Sequence, residues 1–350
     1  MTGLVRQFPA GVTRSVRVPS VSFAHLARLT DDTGLFEHAR HATVRREHGY
    51  CTDDVARGLA VTSREPEPSA EVTRLAEIYL TFLTHAQDET GAFHNRLGFD
   101  RRWEDEATLG DWWGRALWGL GTAAARSTSP WIRAEALHAF RLGATRRSEA
   151  PHAMAFAGLG AFEVLRAHPG DGESLALLAD AAAAIGPPGA DPTWPWPLPR
   201  LTYANPAIAE VVIAAGAVGG DSELLERGLR MLAWLQEVQL NGGRLSVVPA
   251  GGWGPGEPPS GLDQQSIEVA ALADACATAA AVTRDPAWEI GVQQAIDWFL
   301  GDNDADAVMW DPATGGGFDG LTPLGPNLNQ GAESTLALIS TLQHARRTTT

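Results

Sequence analysis

Apolar residues recur at helical spacing along almost the whole chain, whereas the alternation typical of β-strands is scarce. Six segments are rich in alanine, glycine and other small residues and are apolar on most faces, so we expect helices that are buried all round. These segments are 52–63, 111–126, 149–166, 203–217, 263–282 and 327–343. Six others carry charge on one face, as helices exposed on one side do. They are 20–29, 70–87, 129–144, 172–185, 221–239 and 285–300.

The two sets alternate along the chain, and this alternation predicts the fold. An all-α (α/α)6 toroid has an inner ring of buried helices and an outer ring that shields it from water. A helical solenoid would also alternate, but its repeats would be shorter and more even than these. We therefore predict a single toroid domain over 1–350, with 1–19 as an N-terminal extension and 347–350 as a tail.

Loop lengths indicate which end of the ring carries chemistry. Connections from a buried helix to the next amphipathic helix are short, as at 126–129 and 219–221. Connections that lead into a buried helix are mostly long, and long loops in a compact domain are usually functional or disordered. The long ones are 88–110, 186–202, 240–262 and 302–326. We expect them to form the walls of a cleft over the centre of the ring.

Polar residues open most of the predicted inner helices at that end. They include Thr52, Asp53, Asp54, Asp111, Tyr203, Asn205, Glu210, Asp263, Gln264, Gln265, Glu268, Asn327, Asn329, Gln330 and Glu333. The first residue of each helix has a plain structural explanation, because Asp, Asn and Thr are ordinary N-caps. Glu268 and Glu333 lie one turn further in, amid small apolar residues where a carboxylate needs a partner. Five helix starts with acids and amides together favour a functional face.

Tryptophans fall at the same end of the predicted ring. Of the 12, five lie in the long loops and two at the start of the second inner helix. These seven are Trp103, Trp194, Trp196, Trp253, Trp310, Trp112 and Trp113. Sugars stack on indole rings while their hydroxyls bond to carboxylates and amides. The alternative is that these side chains pin the long loops to the barrel.

Composition excludes several mechanisms. All 27 basic residues are arginine, so no lysine Schiff base or Walker A lysine exists. With 42 acidic residues and a net charge of −15, the chain lacks the basic balance of a nucleic-acid-binding protein. Two distant cysteines, no signal-peptide pattern and no apolar run of roughly 18 residues lead us to expect a cytoplasmic protein that does not enter a membrane.

Two local clusters are chemically dense. The first runs from His48 to Arg57, and the second from Phe93 to Arg115. In the second, Asp111 and Arg115 are four residues apart, so an ion pair within one helix is an alternative to a catalytic role. His48 with Asp53 and Asp54 matches no known metal-ligand spacing, and no nucleotide or zinc motif is present. We therefore expect neither a metal nor a cofactor.

Four stretches carry a resemblance to a known group of proteins. They are HARHATVRREHGYCTDDVARGL, FHNRLGFDRRWEDE, GDWWGRALWGLG and NLNQGAESTLALISTL. Over about 20–345 the chain resembles a bacterial family of glycosidase-like α/α-toroid proteins, often encoded beside or fused to sugar-nucleotide glycosyltransferases. The resemblance implies a six-hairpin toroid, a carbohydrate substrate and a glycosyltransferase as a candidate partner. Trp112 and Trp113 depart from the smaller or polar residues expected after Asp111, which would narrow the cleft.

The leading hypothesis is a glycoside hydrolase that acts on an oligosaccharide or glycoside with inversion. This chemistry needs a protonated carboxyl and an ionised carboxylate roughly 6.5–9.5 Å apart. We assign the acid to Asp111 or Glu333 and the base to Asp53 or Asp54, with Asp263 in reserve. The expected substrate-binding residues are His48, Tyr50, His94, Asn95, Arg96, Trp103, Trp112, Arg115, Trp253, Gln264, Glu268 and Asn329.

Two other functions remain open. A sugar epimerase or isomerase of the same fold would use two histidines facing each other across the ring. Here only His152 lies near an inner-helix start, with His48 and His94 in preceding loops. A non-catalytic protein that binds glycans or a glycosyltransferase would have its acids only in caps and ion pairs.

Overall fold

The structure, a computed structural model, describes residues 18–258 and 261–346. Most of the expected N-terminal extension and the tail 347–350 therefore lie outside the described residues. The helices are α1 (Ala24–Arg28), α2 (Thr52–Ser63), α3 (Ala70–Ala86), α4 (Asp111–Arg126), α5 (Pro130–Ala144), α6 (Pro151–Ala167), α7 (Gly172–Ile185), α8 (Asn205–Gly219), α9 (Ser222–Val238), α10 (Ser266–Thr283), α11 (Glu289–Phe299) and α12 (Ala332–Ala345). Short 3-10 helices cover Arg46–His48 and Pro286–Trp288.

The even-numbered helices form a closed inner ring. Each packs against the next, from α2 through α4, α6, α8 and α10 to α12, and α12 packs back against α2. The odd-numbered helices lie outside this ring, each against the inner helix that it adjoins along the chain, with α1 against α12. The predicted (α/α)6 toroid is confirmed.

Small residues allow the inner helices to pack closely. A Cβ atom added at Gly121 of α4 would lie 2.2 Å from the carbonyl oxygen of Gly160 on α6, and one at Gly114 would lie 2.2 Å from that of Ala153. Helix α10 has the length and mean hydropathy (1.4) of a membrane span, but it packs against α8, α11 and α12 within the ring. An apolar surface on most sides is what an inner helix of a toroid requires.

The long connections contain four small antiparallel strand pairs, of which three are hairpins and one joins the connections before α2 and α4. Strands β1 (Ala39–Arg40) and β2 (Thr43–Val44) pair, and β3 (Tyr50–Cys51) pairs with β4 (Arg96–Leu97) across those two connections. Strands β5 (Leu240–Asn241) and β6 (Arg244–Leu245) pair before α10, and β7 (Gly320–Thr322) and β8 (Gly325–Asn327) pair before α12. A fifth long connection, 29–51, leads into α2 and was not singled out by the sequence.

Two predicted inner-helix starts are wrong by three or more residues. Helix α10 begins at Ser266 rather than 263, because Gln264 forms backbone bridges to Pro249 and Leu321. Helix α12 begins at Ala332 rather than 327, because β8 pairs up to Asn327. In both cases polar residues that looked like helix starts belong to the preceding hairpin region.

The N-cap explanation for the polar helix starts is also wrong. Among the described residues, no inner helix receives a capping hydrogen bond from the side chain of its own N-cap residue. Outer helices do: Ser69, Asp171 and Asp221 accept backbone hydrogen bonds at the starts of α3, α7 and α9. The acids at the inner-helix starts are therefore not explained by capping.

Candidate active site

A cavity of about 320 Å³ opens at the N-terminal face of the ring, beside α2 and α12. It is lined by Glu37, His38, Cys51, Asp53, Asp54, Arg57, Arg96, Gln265, Asp319, Asn327, Gly331, Glu333 and Ser334. Three carboxylates predicted from the sequence, those of Asp53, Asp54 and Glu333, are thus brought together. They come from the first and last inner helices, which meet where the ring closes.

Arg57 joins two of these carboxylates. One terminal nitrogen lies 2.5 Å from Oδ1 of Asp54, and the other lies 3.0 Å from Oε2 of Glu333. The side chains of Asp54 and Arg57 are 4% and 8% exposed, whereas that of Glu333 is 40% exposed. One carboxylate is therefore buried and the other open to the cavity, with a single guanidinium between them.

Burial raises the pKa of Asp54 to about 7, although the charge of Arg57 counteracts part of this effect. The negative charges of Glu333 and Glu37 add to the increase. A carboxyl with a pKa near 7 can hold a proton at neutral pH and release it during a reaction. Asp54 and Glu333 thus combine a buried carboxyl of raised pKa with an accessible carboxylate, an arrangement that acid–base catalysis could use.

Asp53 and Asp111 both interact electrostatically with Arg115 of α4. Nε of Arg115 lies 3.3 Å from Oδ1 of Asp53, across the α2–α4 contact. Among the described residues Arg115 has no carboxylate partner within 4 Å other than Asp53, so the alternative of an Asp111–Arg115 ion pair within α4 is wrong. Burial raises the pKa of Asp111, an effect that Arg115 opposes and Asp53 reinforces. Asp111 does not line the cavity, but its environment is compatible with a proton carrier.

The connection before α4 forms an ordered wall. His94 stacks on Trp103 with ring centroids 4.9 Å apart, and its Nδ1 contacts the carbonyl oxygen of Asp105 at 2.6 Å. The carboxylate of Asp105 accepts hydrogen bonds from the backbone N–H groups of Asn95 and Arg96. Asp105 thus positions the segment that carries Arg96, whose guanidinium pairs with Glu37 in the cavity.

Several predicted binding residues instead hold the scaffold together. Tyr50 is 1% exposed and donates its hydroxyl to Asp31 at 2.7 Å. Gln264 is fully buried and bonds to Asp304, and it accepts the indole N–H of Trp298. Glu268 is 2% exposed, and its carboxylate accepts the backbone and side-chain N–H groups of Asn205 at 3.0 and 2.9 Å.

The remaining predicted polar residues lie at the rim rather than in the cavity. His48 is exposed and meets His38 edge-on at 4.8 Å. Asp263 is exposed and begins the segment before α10. Oδ1 of Asn329 accepts the backbone N–H of His41 at 3.0 Å, which joins the connection before α12 to the one before α2.

Most of the loop tryptophans contact one another or the backbone. Trp253 lies 5.3 Å from Trp194 and stacks on Trp234 at 6.5 Å. Trp112 donates its N–H to the carbonyl oxygen of Phe93 at 2.7 Å. Trp113 and Trp196 are 0% and 1% exposed. Trp103, Trp112, Trp253 and Trp310 remain half-buried, so four of the seven tryptophans expected at this face have surfaces that a ligand could reach.

The sequence did not reveal Glu37 and Asp319 as cavity residues. Asp319 accepts the hydroxyl of Ser334 and the backbone N–H of Gly331, both at 2.7 Å, and so supports the start of α12. Burial raises its pKa, against the effect of these hydrogen bonds. The only feature of the sequence that pointed to Asp319 was its position in the long connection before α12. Glu37 lies in the connection 29–51, whose length alone could have drawn attention to it.

A histidine occupies the opposite side of the ring. His152 of α6 stacks on Tyr203 with centroids 4.5 Å apart. Burial, reinforced by the charge of Arg115, lowers the pKa of His152 to about 4, so its imidazole is neutral. Nε2 of His152 is buried and has no hydrogen-bond partner among the described residues.

One trio of side chains could contact a single cation. Ligand atoms of Glu37, Cys51 and Asp54 lie within 4.8 Å of one another. Glu37 and Asp54 are already paired with Arg96 and Arg57, and burial raises the pKa of the Cys51 thiol well above its usual value. These residues therefore fit a metal ion poorly.

Solved structures of similar fold belong to sugar-acting proteins. Cellobiose 2-epimerase from Bacillus thermoamylovorans B4167 superimposes with a TM-score of 0.72 at 11% identity, over 93% of this chain and 96% of that chain. D-mannose isomerase superimposes with a TM-score of 0.62 at 12% identity, over 93% of this chain and 96% of that chain. The cellulase Cel9M of C. cellulolyticum, in complex with cellobiose, gives 0.61 at 9% identity, over 91% and 88%. At these identities the likeness concerns the fold.

No protein-family model matches the chain, and no curated protein matches it.

Proposed function

We propose that this protein is a carbohydrate-active enzyme, and specifically a glycoside hydrolase that uses two carboxyl groups. The observation that carries the proposal is the Asp54–Arg57–Glu333 arrangement inside an open cavity. Inverting hydrolases keep their two carboxyl groups roughly 6.5–9.5 Å apart. Arg57 bridges the two carboxyl groups and keeps them close without direct contact, as a two-carboxyl mechanism requires.

The two environments suggest the roles. Asp54, whose pKa is raised to about 7, would donate a proton to the departing glycosidic oxygen. Glu333, open to the cavity and paired with Arg57, would remove a proton from the attacking water. This assignment reverses the one favoured by the sequence. Asp53 and Asp111 would bind hydroxyls or influence the pKa of Asp54.

A binding function without catalysis explains the cavity less well. It predicts acids that serve only as caps and ion-pair partners. Asp54 has a raised pKa despite its ion pair, and the inner helices lack side-chain caps among the described residues. The single-domain organisation, the cytoplasmic location and a glycosyltransferase partner belong to this proposal as well, and each rests on the sequence alone.

A sugar epimerase or isomerase is the second candidate, and one arrangement favours it. His38 lines the cavity beside α12, while His152 lies on α6, which occupies the opposite position in the ring. Two histidines on opposite sides could exchange a proton with one sugar carbon. Against this, the pKa of His152 near 4 makes it a weak base.

A single screen separates these functions. Wild-type protein is incubated in D₂O with a panel of oligosaccharides and reducing sugars, and the products are analysed by NMR. A hydrolase releases new reducing ends without exchanging carbon-bound hydrogen, whereas an epimerase introduces deuterium at the carbon that it inverts. Asp54→Asn and Glu333→Gln should each abolish sugar release. Release that survives both substitutions would contradict the proposal.

A further inference from the structure

A second cavity, of about 300 Å³, lies at the same face of the ring, between the end of α9 and the connection that leads into α10. It is lined by Val238, Gln239, Leu240, Asn241, Ser246, Val247, Val248, Pro249, Trp253 and Gly261. None of these residues lines the Asp54–Glu333 cavity. The second cavity is therefore a separate space.

Its lining has two chemically different parts. One is the indole of Trp253 together with valine, leucine and proline side chains. The other presents the hydroxyl of Ser246 and the amides of Asn241 and Gln239. A pyranose ring has an apolar face of C–H groups and a rim of hydroxyls, so this combination of surfaces matches its chemistry.

Contacts with neighbouring residues fix the orientation of the Trp253 ring. Its indole N–H donates to the carbonyl oxygen of Glu257 at 2.8 Å, and its ring packs on Trp194 and Trp234. Trp253 is nevertheless half-buried rather than buried. A fixed aromatic face that remains accessible loses little conformational entropy when a ligand stacks on it.

Gln239 carries an unused hydrogen-bond donor at the wall of this cavity. The residue is 1% exposed, and its Oε1 accepts the backbone N–H of Val248 at 3.2 Å. This bond requires the amide oxygen to face Val248, which turns Nε2 away from it. Nε2 has no acceptor among the described residues. Buried polar groups normally have partners, so an unpaired amide at a cavity wall indicates a place for a ligand oxygen.

A hydrogen-bonded wall of residues connects the linings of the two cavities. Asp304 accepts hydrogen bonds from the hydroxyl of Ser246 and from Nε2 of Gln264, both at 2.6 Å. The next residue, Gln265, lines the Asp54–Glu333 cavity. A ligand that extends across this wall would contact both spaces.

We propose that the second cavity is a binding site for a neutral pyranose ring, with Trp253 as the stacking surface and Gln239 as a hydrogen-bond donor. The sugar would be a remote unit of an oligosaccharide whose reacting bond lies beside Asp54 and Glu333. The choice of a sugar as the ligand rests on the proposed function.

Fluorine NMR of protein labelled with 5-fluorotryptophan tests this site directly. The experiment uses an Asp54→Asn, Glu333→Gln background, so that no probe is turned over. Trp253→Phe identifies the Trp253 signal among the 12 tryptophan signals by removing it. The probes are cellotetraose and the methyl glycosides of glucose, mannose, galactose and N-acetylglucosamine. We expect at least one probe to shift the Trp253 signal saturably.

The variant Gln239→Glu tests the proposed hydrogen-bond donor specifically. Glutamate keeps an acceptor for the N–H of Val248 but replaces the donor by an oxygen, and its spectrum without ligand reports whether the fold is retained. We expect the Kd measured from the Trp253 signal to rise at least tenfold. The signal of Trp131, an exposed side chain on α5, serves as a control and should not move.

Three results would overturn the proposal: a Trp253 signal that no probe moves, a Kd that Gln239→Glu leaves unchanged, or an equal shift at Trp131. Failure of the proposed hydrolase function would be visible separately, as absence of sugar release by wild-type protein, because the NMR measurement does not depend on turnover.

Discussion

The guanidinium of Arg57 and the carboxylate of Glu333 lie 3.0 Å apart and belong to the first and last inner helices of the ring. The contact that closes the toroid is therefore also a contact within the candidate active site. Arg57 holds Asp54 with its other terminal nitrogen. The charge of one arginine thus acts on both proposed catalytic carboxyl groups.

Asp54→Asn should remove one limb of the pH–rate profile. Because Asp54 is proposed to act in its protonated form and has a pKa of about 7, kcat/KM of the wild type should fall as the pH rises above about 7. The variant should retain only a small residual rate without this alkaline limb. The measurement is kcat/KM for the best substrate between pH 5 and 9. An alkaline limb of unchanged midpoint in the variant would remove Asp54 from the mechanism.

Arg57→Leu should move the same limb to higher pH. The positive charge of Arg57 opposes the effect of burial on Asp54, so its removal should raise the pKa of that carboxyl further. Arg57→Lys keeps the charge and is the matched control, with a midpoint closer to the wild type. A downward shift in Arg57→Leu would show that Asp54 is not the group that titrates.

Glu268→Gln should destabilise the fold without a direct effect on chemistry. Glutamine can accept only one of the two hydrogen bonds from Asn205, which leaves a buried N–H unsatisfied at a cost of about 1–3 kcal/mol. Burial raises the pKa of Glu268 to about 7, so the folded state retains a proton that the unfolded state loses. The contribution of Glu268 to the free energy of unfolding is therefore largest below the pKa that Glu268 has in the unfolded chain. It is lost as the pH rises through about 7, the pKa in the folded protein.

The loss of stability caused by Glu268→Gln should therefore be larger at pH 5 than at pH 8. Urea unfolding at both pH values measures it. A loss that grows with pH would contradict the sign of the pKa shift.

Asp274→Asn should lower the free energy of unfolding by more than the removal of a surface ion pair does. Asp274 contacts Arg64 at 3.0 Å and Nε2 of His344 at 2.5 Å, and the Asp274 and Arg64 side chains are only 12% and 9% exposed. Burial would raise the pKa of Asp274, but Arg64 and His344 outweigh it and lower the pKa. Removing the carboxylate leaves Arg64 without its ion-pair partner, at a cost of about 3–5 kcal/mol.

The exposed Glu226–Arg230 pair on α9 provides the comparison. Arg230→Ala should lower the free energy of unfolding by less than about 1 kcal/mol. Thermal unfolding of both variants checks the difference. The specific activity of the folded fraction should be unchanged in Asp274→Asn, because Asp274, Arg64 and His344 do not line the Asp54–Glu333 cavity. Equal losses of stability would show that burial adds nothing to the Asp274 pair.

Gly121→Ala should disturb the packing of α4 on α6. The added methyl group would lie 2.2 Å from the carbonyl oxygen of Gly160, so the helices must separate, at a cost of about 1–3 kcal/mol or more. Gly172, at the start of α7, has nothing within 4 Å of the corresponding position. Gly172→Ala should therefore be neutral or slightly stabilising. The midpoints of urea unfolding distinguish the two variants.

Helix periodicity made the ring predictable, but long-range contacts limited the prediction of its site. The bounds of α2, α4 and α7 agree with the predicted ones, because the helical spacing of apolar residues ends where glycine, proline or serine interrupts it. The starts of α10 and α12 were missed, because Gln264 bridges to Pro249 and Leu321 before α10, and the β7–β8 hairpin extends to Asn327 before α12. Periodicity carries no information about such pairing.

The same limit applies to individual side chains. Asp53, Asp54 and Glu333 were expected at one end of the ring and do line one cavity. Glu268 was grouped with them on the same pattern, yet Asn205 occupies its carboxylate. The sequence shows that a buried carboxylate needs a partner, but not whether that partner is another residue or a substrate.

Closure of the ring has a consequence for the order of folding. Helices α2 and α12 are separated along the chain by the four other inner helices, so they can meet only after those helices have been synthesised. Asp54 and Glu333 therefore cannot be brought together by a nascent chain that still lacks α12. Contacts between residues so distant in sequence form late and slowly. A chain that lacks α12 leaves the ring open between α10 and α2, with Asp54 but not Glu333 at the candidate site.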